Sequence, residues 1–109
     1  LSDERSYNAW YYFKDAADKG NIKAMRKYAD IRYNGDNVDK DLEEAACYYK
    51  MAADEGDDEQ ATLKYAFMNL DGDGIKRNRD EAKSYFIKAK DMGNDTAEDI
   101  LRRCFNYWH

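Results

Sequence analysis

Apolar residues along this chain fall at helical spacing. Ala45, Tyr48, Tyr49, Ala52 and Ala53 sit at i, i+3, i+4, i+7 and i+8, the stripe of an amphipathic helix with one face buried. Ala24, Tyr28 and Ile31 mark a second stripe, running toward Gly35. Gly56 follows the first stripe and is expected to end that helix in the left-handed conformation. Asp41 and Asn78 stand where a side-chain oxygen would cap the free amides of the next first turn. The pattern predicts six helices, over about 3–19, 22–34, 41–55, 58–70, 78–92 and 95–107. Short connections after Gly20, Gly56 and Gly93, alternating with longer ones after Gly35 and Gly72, make successive helices antiparallel neighbours.

The stripes themselves recur. Asn8–Gly20 returns as Glu44–Gly56 and again as Glu81–Gly93, its glycines 36 and then 37 residues apart. Between these copies, Ala24, Tyr28, Ala29, Gly35 and Val38 are echoed by Ala61, Tyr65, Ala66, Gly72 and Ile75, and a further copy starts at Ala97. Tandem helical hairpins of this length cannot bury their apolar faces singly and stack on their neighbours. The expectation is an all-α fold, an α-solenoid of antiparallel helix pairs. Residues 1–109 form one helical-repeat domain, with a half repeat over about 3–20, full repeats over about 21–56 and 57–93, and a truncated repeat over 94–109.

The run Ala-x3-apolar-small-x5-Gly-x2-Val/Ile-x2-Asp/Asn-x3-Ala-x2-Tyr-Tyr/Phe-x2-Ala-x3-Gly, at Ala24 to Gly56 and again at Ala61 to Gly93, resembles the Sel1-like repeat, a relative of the tetratricopeptide repeat. Departures bear on helix packing more than on the fold. Tyr28 and Tyr65 stand for the family's Leu, Ala29 and Ala66 for its small Gly, Arg32 and Asn69 for its helix-ending Tyr. Asn37 replaces the second loop glycine that Gly74 keeps, and Asn tolerates positive φ. The resemblance implies a scaffold that assembles other proteins.

Composition narrows the function further. The absence of proline and the scarcity of glycine suit long helices. Aromatic content of 15% argues for a folded core despite a mean hydropathy of -1.06. A net charge of -5 disfavours nucleic acid and makes a basic peptide the favoured partner. No apolar run is long enough for membrane insertion. The chain opens on Leu1, so it is expected to be a piece of a longer protein. Cys47 and Cys104 are too few for a disulfide framework or a zinc site and read as reduced, buried and structural, favouring a cytoplasmic location.

Catalytic motifs are missing, and the one histidine, His109, leaves no nucleophile and base pair; no enzyme, cofactor or metal is assigned. Asn69-x-Asp71-x-Asp73-Gly74 followed by Asp80 resembles a calcium loop. Asn at the first position, Lys76 at the eighth and a short Asp at the twelfth spoil the fit, and the repeat explains the same glycines without a cation.

Tyr12, Tyr28, Tyr48, Tyr49, Tyr65 and Tyr85 lie on the apolar stripes and are expected in the core; Trp10 and Trp108 fall in the core or on terminal faces. The helix over 58–70 stands apart. Its stripe Ala61, Tyr65 and Met68 is matched on the other side by Leu63, Phe67 and Leu70. This second face is expected either to be buried between repeats or to line a partner-binding groove. In the groove Leu63 and Phe67 would be anchors, Tyr33 an amphipathic contact, and Arg26 and Asp30 the polar rim. Three further readings compete: a structural or oligomerising spacer, self-association through terminal repeats, and a calcium-regulated module.

Overall fold

A computed structural model describes the backbone of residues 2–107 and the side chains of residues 9–107; Trp108 and His109 lie outside them. The described residues form helices and no strand: α1 (Ser2–Asp18), α2 (Ile22–Asn34), α3 (Leu42–Gly56), α4 (Glu59–Asp71), α5 (Arg79–Asp91) and α6 (Asp95–Phe105). They are the six expected helices, with ends displaced by at most two residues. Each packs chiefly on its neighbours in sequence, so the molecule is a ribbon of 53 × 23 × 19 Å.

Capping is uniform. Asn21, Asp41, Asp58, Asn78 and Asn94 each accept from the amide three residues on, satisfying one of the donors that a helix start leaves open. Between α2 and α3, Asn37 adopts φ 58°, doing the work of a glycine.

Gly56 behaves otherwise than the pattern implies. It is the last residue of α3, and the left-handed residue is Asp57, with φ 50°. Glycine is needed for close approach: a Cβ on Gly56 would lie 2.2 Å from Cγ2 of Ile22, at the start of α2. Gly74 combines both demands, with φ 78° and a Cβ position 2.0 Å from Cβ of Leu42.

Two apolar clusters make the core. The first joins α1 to α4 around Met25, Tyr28, Tyr49 and Met68, with Trp10 half-buried against it. The second joins α4 to α6 around Ala66, Phe86 and Leu101. Met25 and Ala29 are buried on α2, whereas Ile31, expected in its stripe, is half-buried. Tyr28, Tyr48, Tyr49 and Tyr65 are buried and Tyr85 half-buried, but Tyr12 is 68% exposed. Tyr48 and Tyr85, its equivalents, are covered by α2 and α4; among the described residues no helix occupies that side of α1.

The cysteines also depart from expectation. Cys47 and Cys104 are both exposed. Cys47 faces outward beside the buried Ala45, Ala46 and Tyr48, and Cys104 lies on the outer face of α6 with Arg102 and Arg103. Neither contributes to the core.

Candidate protein-interaction surface

The repeats are joined by tyrosines whose rings are buried or half-buried and whose hydroxyls reach carboxylates. Tyr48 donates to Asp18 at 2.7 Å, and Tyr85, one repeat on, donates to Asp54 at 2.6 Å. Lys14 and Lys50 complete the two clasps through ion pairs to the same aspartates at 3.0 and 2.8 Å. The rings repeat too: Tyr28 meets Tyr48 and Tyr65 meets Tyr85 edge-on, each with centroids 4.7 Å apart. At the other end of these rings, Tyr28 bonds Glu44, and Tyr65 bonds Glu81 at 3.2 Å.

The electrostatics follow from this geometry. The Tyr48 hydroxyl and the Lys14 ammonium hold Asp18 below the usual carboxylate value. Burial pushes Asp54 up, but Lys50 and Tyr85 together outweigh it and leave the group lowered. Burial first, and Asp54 second, push Tyr85 up to about 12. Tyr28 and Tyr49 are raised by burial and by Glu44 and Asp30 respectively.

The predicted surface residues lie along α2 and α4, which run side by side in the same direction. Arg26 pairs with Asp58, the N-cap of α4, at 3.0 Å. Asp30 accepts from Tyr49. Tyr33 donates to Asp73 at 2.6 Å, and the Lys64 ammonium lies over its ring, 4.0 Å from the centroid. Leu63 and Phe67 are half-buried against the second cluster, Phe67 edge-on to Phe86 at 5.0 Å. Arg26, Asp30 and Tyr33 thus contact α3, α4 and the loop after it, while Leu63 and Phe67 lie on the other side of α4, toward α5 and α6. All five keep part of their surface in solvent.

Repeat equivalence explains the difference between the two helices. Asp30 and Tyr49 in one repeat correspond to Phe67 and Phe86 in the next. A polar pair has been exchanged for an apolar pair at the same junction, so α4 carries hydrophobic side chains where α2 carries bonded polar ones. Sequence reasoning missed this coupling, although both members change together between the copies.

The carboxylates of the 69–80 loop are spent or dispersed. Asp73 serves Tyr33, Asn69 is buried and donates to the Tyr65 carbonyl at 2.9 Å, and Asp80 belongs to the first turn of α5. Among the described residues no group of three or more His, Cys, Asp or Glu side chains is arranged to hold a metal ion. The same residues contain no helix long and apolar enough to cross a membrane. A shallow recess of about 320 Å³ opens between α3 and α4, lined by Cys47, Lys50, Tyr65, Ile75 and Glu81 among others; Cys47 was not anticipated there because a free cysteine reads as an interior residue.

The Sel1 repeat model matches residues 5–21, 22–57 and 60–94. The chain belongs to the Sel1 repeat family. Sel1 repeat proteins are generally interaction scaffolds and typically non-catalytic. Among solved structures, the chain is similar to Helicobacter pylori cysteine rich protein B, at 30% identity and a TM-score of 0.78 over 84% of this chain and 68% of that one. It also resembles a Sel1 repeat protein from Oxalobacter formigenes, at 27% identity and a TM-score of 0.80 over 85% of this chain and 27% of that one. A protective antigen of uropathogenic Escherichia coli with an SLR fold shares the architecture, at 22% identity and a TM-score of 0.82, over 89% of this chain and 21% of the antigen. No curated protein sequence matches the chain.

Proposed function

We propose that this Sel1 repeat chain is a non-catalytic scaffold that binds a peptide or protein segment across α2 and α4. Leu63 and Phe67 are the apolar anchors, Tyr33 is an amphipathic contact, and Arg26 and Asp30 form the polar rim. The observation that carries the reading is the change along the ribbon from bonded polar residues on α2 to half-exposed apolar ones on α4. A peptide crossing α4 would meet the apolar anchors on one side of that helix and the polar rim on the other, the first supplying affinity and the second register. The net charge of -5 favours a basic partner.

A second reading, a structural spacer, is favoured by one observation. Tyr11 and Tyr12, the strongly exposed large hydrophobics among the described residues, both lie on the terminal helix α1. Panning a displayed peptide library against the chain separates the two. The scaffold reading predicts binders rich in Lys and Arg around an apolar residue. Phe67→Ala and Leu63→Ala variants that keep their helical circular dichroism would weaken them by about tenfold or more. Binders indifferent to both substitutions, or no binders at all, would favour the spacer.

A further inference from the structure

Positions 37 residues apart correspond in the two full repeats, and the backbone repeats with them. The Asp41 amide donates to the Arg32 carbonyl at 2.9 Å, and the Asn78 amide to the Asn69 carbonyl at 3.0 Å. In the first repeat the Arg32 side chain fills the space between α2 and the start of α3. Its Nε pairs with Glu44 at 2.9 Å, Nη1 donates to the Asp39 carbonyl at 2.9 Å, and Nη2 lies 3.5 Å from the Asp41 carboxylate. Tyr28 donates to the same Glu44. The planar guanidinium is thereby held on three sides.

The second repeat keeps the acceptors and loses the cation. Glu81 stands for Glu44, Lys76 for Asp39 with its carbonyl, Asn78 for Asp41 and Tyr65 for Tyr28, but Asn69 stands for Arg32. Asn69 is only 3% exposed and turns back on its own helix, donating to the Tyr65 carbonyl at 2.9 Å. Glu81 is left with the Tyr65 hydroxyl at 3.2 Å, and among the described residues it has no ion pair. The vacated space is the recess of about 320 Å³, walled by Tyr65, Asn69, Lys76, Asn78 and Glu81, with Cys47 across from them. Neither lysine on its lining supplies the charge. Lys50 is drawn to Asp54 at 2.8 Å, and the exposed Lys76 forms no ion pair among the described residues. Leu63 and Phe67 are each two positions from Tyr65, about 200° round α4, so the recess is separate from the surface proposed above.

We propose that this recess binds an arginine side chain of a partner polypeptide, whose guanidinium takes the place that Arg32 fills one repeat earlier. It pairs with Glu81 and donates to the Lys76 carbonyl and the Asn78 side-chain oxygen, while its methylenes lie against Ile75. Lysine makes a poorer occupant, because an ammonium is a single point of charge and not a planar fork. A peptide fits better than the free amino acid. The recess follows α3 from Glu43 to Lys50, about 10 Å, and the exposed Glu43 repels a free α-carboxylate.

The probe is N-acetyl-glycyl-arginyl-glycinamide, titrated into the isotopically labelled whole chain and followed by amide chemical shifts. Binding is expected to move Cys47, Asn69 and Lys76. The lysine and citrulline versions of the peptide, and Glu81→Gln in the protein, are each expected to weaken it by about tenfold, the loss of a charge-assisted contact. Asn69→Arg, which restores the repeat's own guanidinium, is expected to abolish binding and raise the urea midpoint; Arg103→Ala, on α6, is expected to leave binding unchanged. Should Asn69→Arg not fold, Glu81→Gln and the citrulline peptide decide alone. No shifts at these residues, equal binding of the citrulline peptide, or indifference to Glu81→Gln overturns the proposal. Tighter binding of free arginine than of the peptide also overturns it and gives the recess to an amino acid. Because the recess shares no residue with the α2 and α4 surface, either site can fail while the other stands.

Discussion

Replacing Gly56 by alanine tests whether a close helix contact or a left-handed turn demands the glycine. The new Cβ would lie 2.2, 2.5 and 2.8 Å from Cγ2, Cγ1 and Cβ of Ile22. Isoleucine is branched at Cβ and stiff about χ1, so it cannot swing away cheaply. Overpacking of this kind costs about 1–3 kcal/mol. Alanine in place of a helical glycine returns about 0.5–1 kcal/mol, leaving a net loss of about 1–2 kcal/mol. Ile22 is half-buried, so Ile22→Ala alone should cost about 1–2 kcal/mol, below the range for fully buried aliphatics. In the double variant the contacts at 2.2 and 2.5 Å are gone and only the Cβ–Cβ approach of 2.8 Å remains, so the pair should be more stable than the sum of its single changes by about 1–2 kcal/mol. Urea unfolding followed by circular dichroism at 222 nm measures each value, with the midpoint moving and the slope held. Strict additivity would refute the close-approach account and return Gly56 to the role of a turn residue.

Three more outcomes follow from the repeat junctions. Tyr49→Phe leaves the Asp30 carboxylate without its donor and should cost about 1–2 kcal/mol; adding Asp30→Phe, which reproduces the Phe67 and Phe86 pair, should recover most of it in the same urea assay. Asp18 and Asp54 titrate below the ordinary 3.8 in the folded chain, so the unfolded chain takes up protons first. Their contribution is complete above about pH 4 and is lost as pH falls through the folded values, so Asp54→Asn should flatten the acid limb of a stability profile. Tyr85 is raised from 10.0 to about 12, so the folded chain keeps a proton that the unfolded chain has released. That contribution is complete below pH 10 and is lost between pH 10 and about 12, and Tyr85→Phe should remove it from the alkaline limb.

The helices and their order were legible in the sequence because the apolar stripes, the Asx caps and the duplicated segments all require the same hairpins. What stripes could not reveal was which flank of a helix has a neighbour. Tyr12 has the same sequence context as Tyr48 and yet is exposed, because burial there depends on a preceding helix and not on the residue's own helix. Cys47 was misread for a related reason: it sits next to the buried stripe, and one position along a helix turns a side chain by about 100°. Gly56 was misassigned because a glycine at a helix end fits a left-handed turn and a close contact equally well until the opposing residue, Ile22, is known. On the candidate surface, the apolar character of Leu63 and Phe67 was readable. The internal bonds of Arg26, Asp30 and Tyr33 were not, since their partners Asp58, Tyr49 and Asp73 lie in other elements.

The central claim is that this Sel1 repeat ribbon binds a partner across α2 and α4. Amide chemical-shift mapping, with the chain isotopically labelled and titrated with a peptide selected from the displayed library, tests it most directly. The account predicts shifts concentrated at Tyr33, Leu63 and Phe67 and their neighbours on α2 and α4, with α6 unaffected. Shifts confined to the α3–α4 recess around Cys47, or to the Tyr11 and Tyr12 face of α1, would contradict it.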